Sequence, residues 1–238
     1  MMKFKIQWFD RLPSTNTFLK ESVEINGVPG NGTIIAAREQ TQGRGRQARQ
    51  WISGANENLT FSVFISDRID PQKLPSSTMA AAIAIRRLLA EEKIPAILKW
   101  PNDVLVNGKK ICGILSERIS AGLIIGIGLN VNMRDPAGID QPATSIFHET
   151  GERQNLEELL DRLLAHLAPQ LTLWKAQGFA GLRAEWEAGC PALGSTVTVR
   201  DGDSKRTGIL AGFGSAGELL LRDSTGGNLT VWAGDLDI

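Results

Sequence analysis

The segment from Leu123 to Val131 reads as a strand with two unequal faces. Successive side chains of a strand point to opposite sides. One side carries Ile125, Ile127, Leu129 and Val131, the pattern of a core face. The other carries Ile124, Gly126, Gly128, Asn130 and Asn132. Two glycines in succession on one face leave a strip of bare backbone. A ligand, another backbone or a closely packed helix can lie there. The two amides at the far end add donors and acceptors.

Other elements can be placed around this strand. Lys3 to Phe9 alternates weakly, as an edge strand does. Ser14-Thr15-Asn16-Thr17 opens an amphipathic stretch to Ile25, a helix with a polar cap. Thr33–Ala37 and Leu59–Ile65 are apolar and β-rich. Met79 to Glu92 has Ala80, Ile83, Ala84 and Leu88 at helical spacing, preceded by Pro71 and Pro75. Ala96 to Trp100 is a strand closed by Pro101. Val104–Val106 and Lys110–Glu117 flank Asn107-Gly108, the strongest short hairpin signal. Asn155 to Gln177 is a long helix that Pro169 is expected to kink or break, with Gly178 at its C-cap. Gln40 to Gln50 has almost no large apolar side chain and reads as a loop. Beyond Gly189-Cys190-Pro191 come four short strands, Thr196–Val199, Gly208–Phe213, Glu218–Arg222 and Leu229–Trp232, separated by Gly, Asp and Ser turns. The fold class is α+β: a domain over 1–187, then a small all-β domain over 188–238.

Composition narrows the function. Lys+Arg and Asp+Glu are both 26, a net charge of zero, so a general electrostatic nucleic-acid binder is not expected. Cys112 and Cys190 stand far apart, which excludes a disulfide framework and a thiolate zinc site. Met1 to Pro13 lacks an apolar signal core, and no apolar run approaches the roughly 20 residues that span a bilayer. The expectation is a cytoplasmic protein without membrane contact.

Five segments carry possible chemistry. Gly43-Arg44-Gly45-Arg46-Gln47-Ala48-Arg49-Gln50-Trp51 sets three arginines among glycines. Extended, it would project Arg44 and Arg46 to one side, where guanidiniums suit phosphate or carboxylate. A solvated basic turn is the alternative. Trp51 could stack on a base or anchor the loop. Lys99-Trp100-Pro101-Asn102-Asp103 ends a strand, where Asp103 could hold Mg2+ and Asn102 could read a polar ligand edge. It could equally be a plain turn. Lys110, with Gly113 three residues on, is either functional or a solvated edge charge. Gly126-x-Gly128-x-Asn130 is the bare strip. Ser14-Thr15-Asn16 caps a helix and could hold an acceptor oxygen. No Ser-His-Asp or Cys-His set can be argued, and neither the P-loop nor the Rossmann fingerprint is present.

Taken together and in this order, the five segments, with Gln40, resemble the biotin–protein ligase family across most of the chain. Gly43-Arg44-Gly45-Arg46 and Lys99-Trp100-Pro101-Asn102-Asp103 are the most specific. The resemblance implies a mixed sheet with flanking helices, followed by a C-terminal SH3-like β-barrel. It implies ATP-dependent ligation in two steps. Biotin carboxylate attacks the α-phosphate of ATP to give biotinyl-5'-AMP. A lysine of a biotin carboxyl carrier protein, typically that of acetyl-CoA carboxylase, then takes the acyl group. Biotin, ATP and Mg2+ are the implied ligands. Arg44, Arg46 and Lys110 are the implied catalytic charges. Ser14, Thr15, Asn16, Gln40, Gly43, Arg44, Gly45, Arg46, Lys110, Gly113, Gly126 and Gly128 would surround biotin. Arg46, Arg49, Trp51, Asn102, Lys110 and Asn130 would meet ATP, with Asp103 on the metal side. Many members have Ala where this chain has Gln42 and Gly where it has Ala48. Some carry an N-terminal DNA-binding domain; with the sequence beginning almost at the first strand, none is expected here, nor DNA binding. Members often pair through a sheet edge, so a homodimer is a further expectation. A lipoate or octanoate ligase or transferase of the same fold is the first alternative, and a non-enzymatic biotin-binding module the second.

Overall fold

The structure, a computed structural model, describes residues 2–66, 69–136 and 141–237. A seven-stranded sheet is built from β1 (Lys5–Phe9), β2 (Thr33–Ala37), β5 (Asn58–Ile65), β6 (Ala96–Lys99), β7 (Asp103–Val106), β8 (Lys109–Ile119) and β9 (Gly122–Asn130). Its order is β1-β2-β5-β9-β8-β7-β6, antiparallel except for the β1–β2 pair. The glycine-bearing strand β9 is thus the centre of the sheet. Asn107 and Gly108 form the β7–β8 turn at φ 51° and 74°, the mirror-image turn geometry that Asn-Gly favours.

The two faces of β9 meet different covers. Ile125, Ile127 and Leu129 enter the main core with α2 (Ser77–Glu91) and α4 (Leu156–Gln177). Helix α2 lies between the sheet and α4 and is apolar nearly all round, from Met79 to Ile85. Its alanines let sheet and helix approach closely. Ile124 turns the other way, into a smaller cluster with Leu12, Leu19, Ile35, Ala37 and Phe64 under α1 (Thr15–Asn26). Among the described helices α1 alone covers that face, and the rest of it carries the site.

Helix α4 runs unbroken through Pro169, against the expected kink or break. Leu163, Leu167, Leu171 and Trp174 on its buried face hold both halves to α2. That packing outweighs the one backbone hydrogen bond proline gives up. Two helices had no sequence signal: α3 (Ile146–Thr150) and α5 (Phe179–Gly189). None of the described helices is long and apolar enough to cross a membrane.

The C-terminal strands are β10 (Thr196–Asp201), β11 (Ser204–Phe213), β12 (Leu219–Arg222), β13 (Asn228–Val231) and β14 (Asp235–Asp237). They form one antiparallel sheet, β13-β12-β11-β10-β14. Its ends, β13 and β14, do not pair with each other, so the small β unit is an open sheet among the described residues. Val197, Val199, Leu210, Phe213, Leu221 and Leu236 join the same apolar cluster as the helices. Phe213 sits 6.0 Å from the rings of both Phe179 and Trp186. Trp100 Nε1 donates to Gly217 O at 3.0 Å, which ties this sheet to the strand-end segment before Asn102.

Candidate active site

The segment read as a loop is largely a β-ribbon. β3 (Gln40–Arg44) pairs with β4 (Gln50–Ser53) around a 3-10 turn at Arg46–Ala48. The ribbon is strung on main-chain bonds: Thr41 N and Gln42 N donate to Leu12 O and Pro13 O, and Gly45 N to Arg49 O at 2.7 Å. Gly43 is needed for close approach, since a Cβ there would stand 2.4 Å from Trp51 O. The left-handed residue of the turn is Gln47 (φ 53°), one position before Ala48.

Trp51 returns the ribbon to the sheet. Gly113 of β8 and Gly128 of β9 are register partners, and the indole lies across both. A Cβ at Gly128 would stand 2.4 Å from Trp51 Cε2, and one at Gly113 3.2 Å from Trp51 Cζ3. At Gly126 a Cβ would meet Asn16 Oδ1 at 2.3 Å. The bare strip of β9 is therefore occupied in part by protein side chains, Asn16 at one end and Trp51 at the other.

Around this floor opens a cleft. Ser14, Thr15, Asn16, Gln40, Arg44, Gly45, Arg46, Arg49, Trp51, Asn102, Asp103, Lys110, Gly113, Gly126 and Gly128 line it. Segments up to 221 positions apart converge there, from Ser14 to Asp235 of the C-terminal sheet. Gly43 stands behind it, under Trp51. Asn130 opens instead on an adjoining cleft that also includes Lys99, Arg200 and Asp237, and shares Arg49, Trp51, Asp103, Lys110 and Asp235 with the first. Asn130 Nδ2 donates to Thr144 O at 2.9 Å, so part of its work is to hold the chain after β9.

One end of the cleft is a polar network. Ser14 caps α1. Thr15 N and Oγ1 both donate to Gln40 Oε1, at 2.7 and 3.1 Å. The Gln40 oxygen is thereby taken, and its Nε2 is the atom left for a ligand oxygen. The Ser62 hydroxyl reaches Thr15 Oγ1 at 2.7 Å and also Asn16 Oδ1. Asn16 Nδ2 donates to Glu117 Oε2 at 2.7 Å.

Arg44 joins this network through Glu117, while Arg46 and Lys110 carry charge elsewhere in the cleft. Arg44 Nη2 donates to both carboxylate oxygens of Glu117, at 2.8 and 2.9 Å. Arg46 Nη1 reaches Asn102 Oδ1 at 3.1 Å and Gly234 O at 3.2 Å. Asn102 is fixed in turn by Nδ2 to Ile114 O at 2.7 Å. Lys110 Nζ lies 2.7 Å from Asp103 Oδ1. The contact is an ion pair off the hydrogen-bonding direction, and Asp103 Oδ1 is buried without a hydrogen bond. Among the described residues no three His, Cys, Asp or Glu gather as a metal cage.

Ser62, Glu117 and Asp235 are among the site residues that escaped the sequence reading. Strand alternation offered a signal for two. Ser62 follows Asn58 and Thr60 at every second position of an otherwise apolar strand. Glu117 shares a strand face with Gly113 and Leu115. Asp235 had no signal. Cys112 lies fully buried beneath the floor, and burial pushes its thiol far above the ordinary range, so it supplies no nucleophile.

A ribbon of arginines over a glycine floor, set on a mixed sheet, defines a ligase-type anion-activating site. The chain belongs to the biotin/lipoate A/B protein ligase family, whose pattern matches residues 8–133. It is 34% identical over 233 residues to a biotin–[acetyl-CoA-carboxylase] ligase of Paracoccus denitrificans, covering 91% of this chain and 93% of that one. Its fold superposes on a variant of the biotin protein ligase of Aquifex aeolicus in complex with biotin, with TM-score 0.85, 31% identity and coverage of 100% and 98%. The Aquifex aeolicus enzyme in complex with biotin and ATP gives TM-score 0.81, 30% identity and coverage of 98% and 97%.

Proposed function

We propose that this cleft joins biotin to ATP and passes the biotinyl group to a lysine of a biotin carboxyl carrier protein, that of acetyl-CoA carboxylase. The observation that carries the reading is the convergence of Arg44, Arg46 and Lys110 on one glycine-floored cleft with a polar end. An oxygen of the biotin carboxylate attacks the α-phosphorus, pyrophosphate leaves, and a biotinyl–adenylate anhydride forms. A neutral lysine amine then attacks the acyl carbon, AMP leaves, and an amide remains. Neither step needs a protein nucleophile. Both spread negative charge on oxygens, which fixed guanidiniums and an ammonium stabilise best where water is excluded.

Residue roles follow from position. Thr15, Asn16, Gln40 and the Ser14 cap form the head end, where Gln40 Nε2 is the donor for a ureido oxygen. Gly45, Gly113, Gly126 and Gly128 admit the rings and chain. Arg44, Arg46 and Lys110 take the carboxylate and then the phosphate. Beyond Trp51, Arg49 and Asn130 face ATP, and Asn102 serves it by aiming Arg46. Asp103 is our candidate on the Mg2+ side of MgATP; its Oδ1 pairs with Lys110 Nζ at 2.7 Å, so the ammonium would have to swing towards the phosphates for a metal to bind there. The metal would there neutralise leaving-group charge. The polar head end favours biotin over lipoate or octanoate, which have no ureido group. We draw the domain boundary just after α5, at Gly189, two residues beyond the expected 187, and name β1 and β6, the edges of the large sheet, as the places where copies would pair. The net charge of zero supports a reading without nucleic acid.

The test is ATP–pyrophosphate exchange with biotin, lipoate, octanoate or no acid. Exchange only with biotin is expected. Exchange with lipoate or octanoate alone moves the chain to the sister activity. Biotin binding without exchange would make it a binding module.

A further inference from the structure

The ribbon that carries the arginines is gripped from outside its own domain. Asp235 of β14 sits between two of them. Its Oδ2 pairs with Arg49 Nη2, and its Oδ1 lies 3.6 Å from Arg46 Nη1. The carbonyl of Gly234 next to it takes a hydrogen bond from the same Arg46 nitrogen. Arg46 and Arg49 flank one tight turn, so two positive charges are forced together. Arg46 has a second anchor in Asn102; among the described residues the Arg49 side chain has, besides Asp235, only Gln47 Oε1 at 3.4 Å. One carboxylate therefore both cancels the repulsion within the turn and moors it to the C-terminal sheet. The Asp235 side chain is 25% exposed, so the pair is partly shielded from solvent.

We propose that Asp235 is a positioning residue that keeps Arg46 and Arg49 over the cleft, so that the C-terminal sheet governs how long the acyl-adenylate stays bound. The inference rests on the adenylate reading above. Asp235 does not touch the reacting atoms; it acts through the two arginines.

The experiment uses the full chain, loaded with biotin and ATP without carrier protein. It follows biotinyl-adenylate release by rapid filtration and the labelling of a bystander protein such as serum albumin. Arg46→Gly serves as the reference for an open ribbon. Asp235→Asn is expected to raise adenylate release and bystander labelling roughly tenfold, the scale of one charge-assisted contact. Asp235→Glu is expected to restore most of the retention. Added KCl should raise release from the wild type and change little in Asp235→Asn. In a double-mutant cycle with Arg49→Gln, the two effects should not add, because both cut the same pair. Should Asp235→Asn not fold, Asp235→Ser carries the test in its place. A general loss of stability would lower melting temperature and total activity without changing how adenylate divides between bystander and enzyme. If the wild type makes adenylate and the variants release it no faster, the mooring role is wrong. If the wild type makes none, the ligase reading itself falls, and this inference with it.

Discussion

Replacing Gly128 with alanine probes the site through its floor. The new methyl would stand 2.4 Å from Trp51 Cε2, 2.6 Å from Cζ2 and 2.8 Å from Nε1. Ordinary contact begins at 3.4 Å, so the indole has to retreat by about 1 Å (3.4 minus 2.4). A rigid two-ring system cannot bend out of the way, so the indole has to move as a whole. Overpacking of this kind costs about 1–3 kcal/mol. In a chain of this size each kcal/mol lowers Tm by about 2–4 °C. Activity should fall further than stability. Trp51 anchors the ribbon, and a shift of about 1 Å in a charge-positioning element can cost about 100-fold in rate. Biotin-dependent ATP–pyrophosphate exchange and a thermal melt measure the two effects side by side. Trp51→Ala should absorb the clash, so the double variant should melt and turn over like Trp51→Ala alone. A Gly128→Ala protein with wild-type Tm and wild-type exchange would refute the placement of the indole on this floor.

Glu117→Gln removes the carboxylate shared by Arg44 and Asn16. The Arg44 end is about half exposed (47%), so solvent screening limits the loss to about 1 kcal/mol, a roughly fivefold rise in KM for biotin; an unchanged biotin titration would deny Glu117 that role. Both thiols are pushed up by burial, so Cys112 and Cys190 should resist iodoacetamide in the folded protein and react fully in denaturant, as mass spectrometry can count. Glu91 is held below the usual carboxylate range, first by Arg162 and then by His166. A depressed carboxylate contributes stability above its unfolded value of 4.5 and loses it as pH falls through the lower folded value. Glu91→Gln should therefore be slightly less stable than the wild type at neutral pH, with the two urea midpoints converging in acid.

The parts of the fold that were legible rest on local physics. Asn107-Gly108 announced its hairpin because both positions take positive φ, and the alternation of β9 divided its faces correctly. Capping marked the start of α1 at Ser14 and both ends of α4 at Asn155 and Gly178. The Gln40–Ser53 ribbon was illegible because it holds together by main-chain bonds and one tryptophan, with few apolar side chains to set a period. Pro169 misled because helix propensity is a local quantity, while α4 is held by its packing on α2. The site divides in the same way. Residues within motifs were readable: Ser14 to Asn16, the arginine turn, Asn102 with Asp103, Lys110 and the glycines. Their partners were not, since Ser62 meets Asn16 across 46 positions, Glu117 meets Arg44 across 73 and Asp235 meets Arg49 across 186. No window of sequence contains such pairs.

Gly113, Gly126 and Gly128 have a consequence for how this protein can change. Glycine is the smallest residue, so every substitution at these three positions adds atoms to the chamber and none can enlarge it. Backbone curvature aside, the floor is already at its lower limit. Variants that accept a bulkier acid have to come from the walls, by trimming Trp51 or rewiring Asn16 and Gln40, and a mutational library spent on the floor would return only narrower sites.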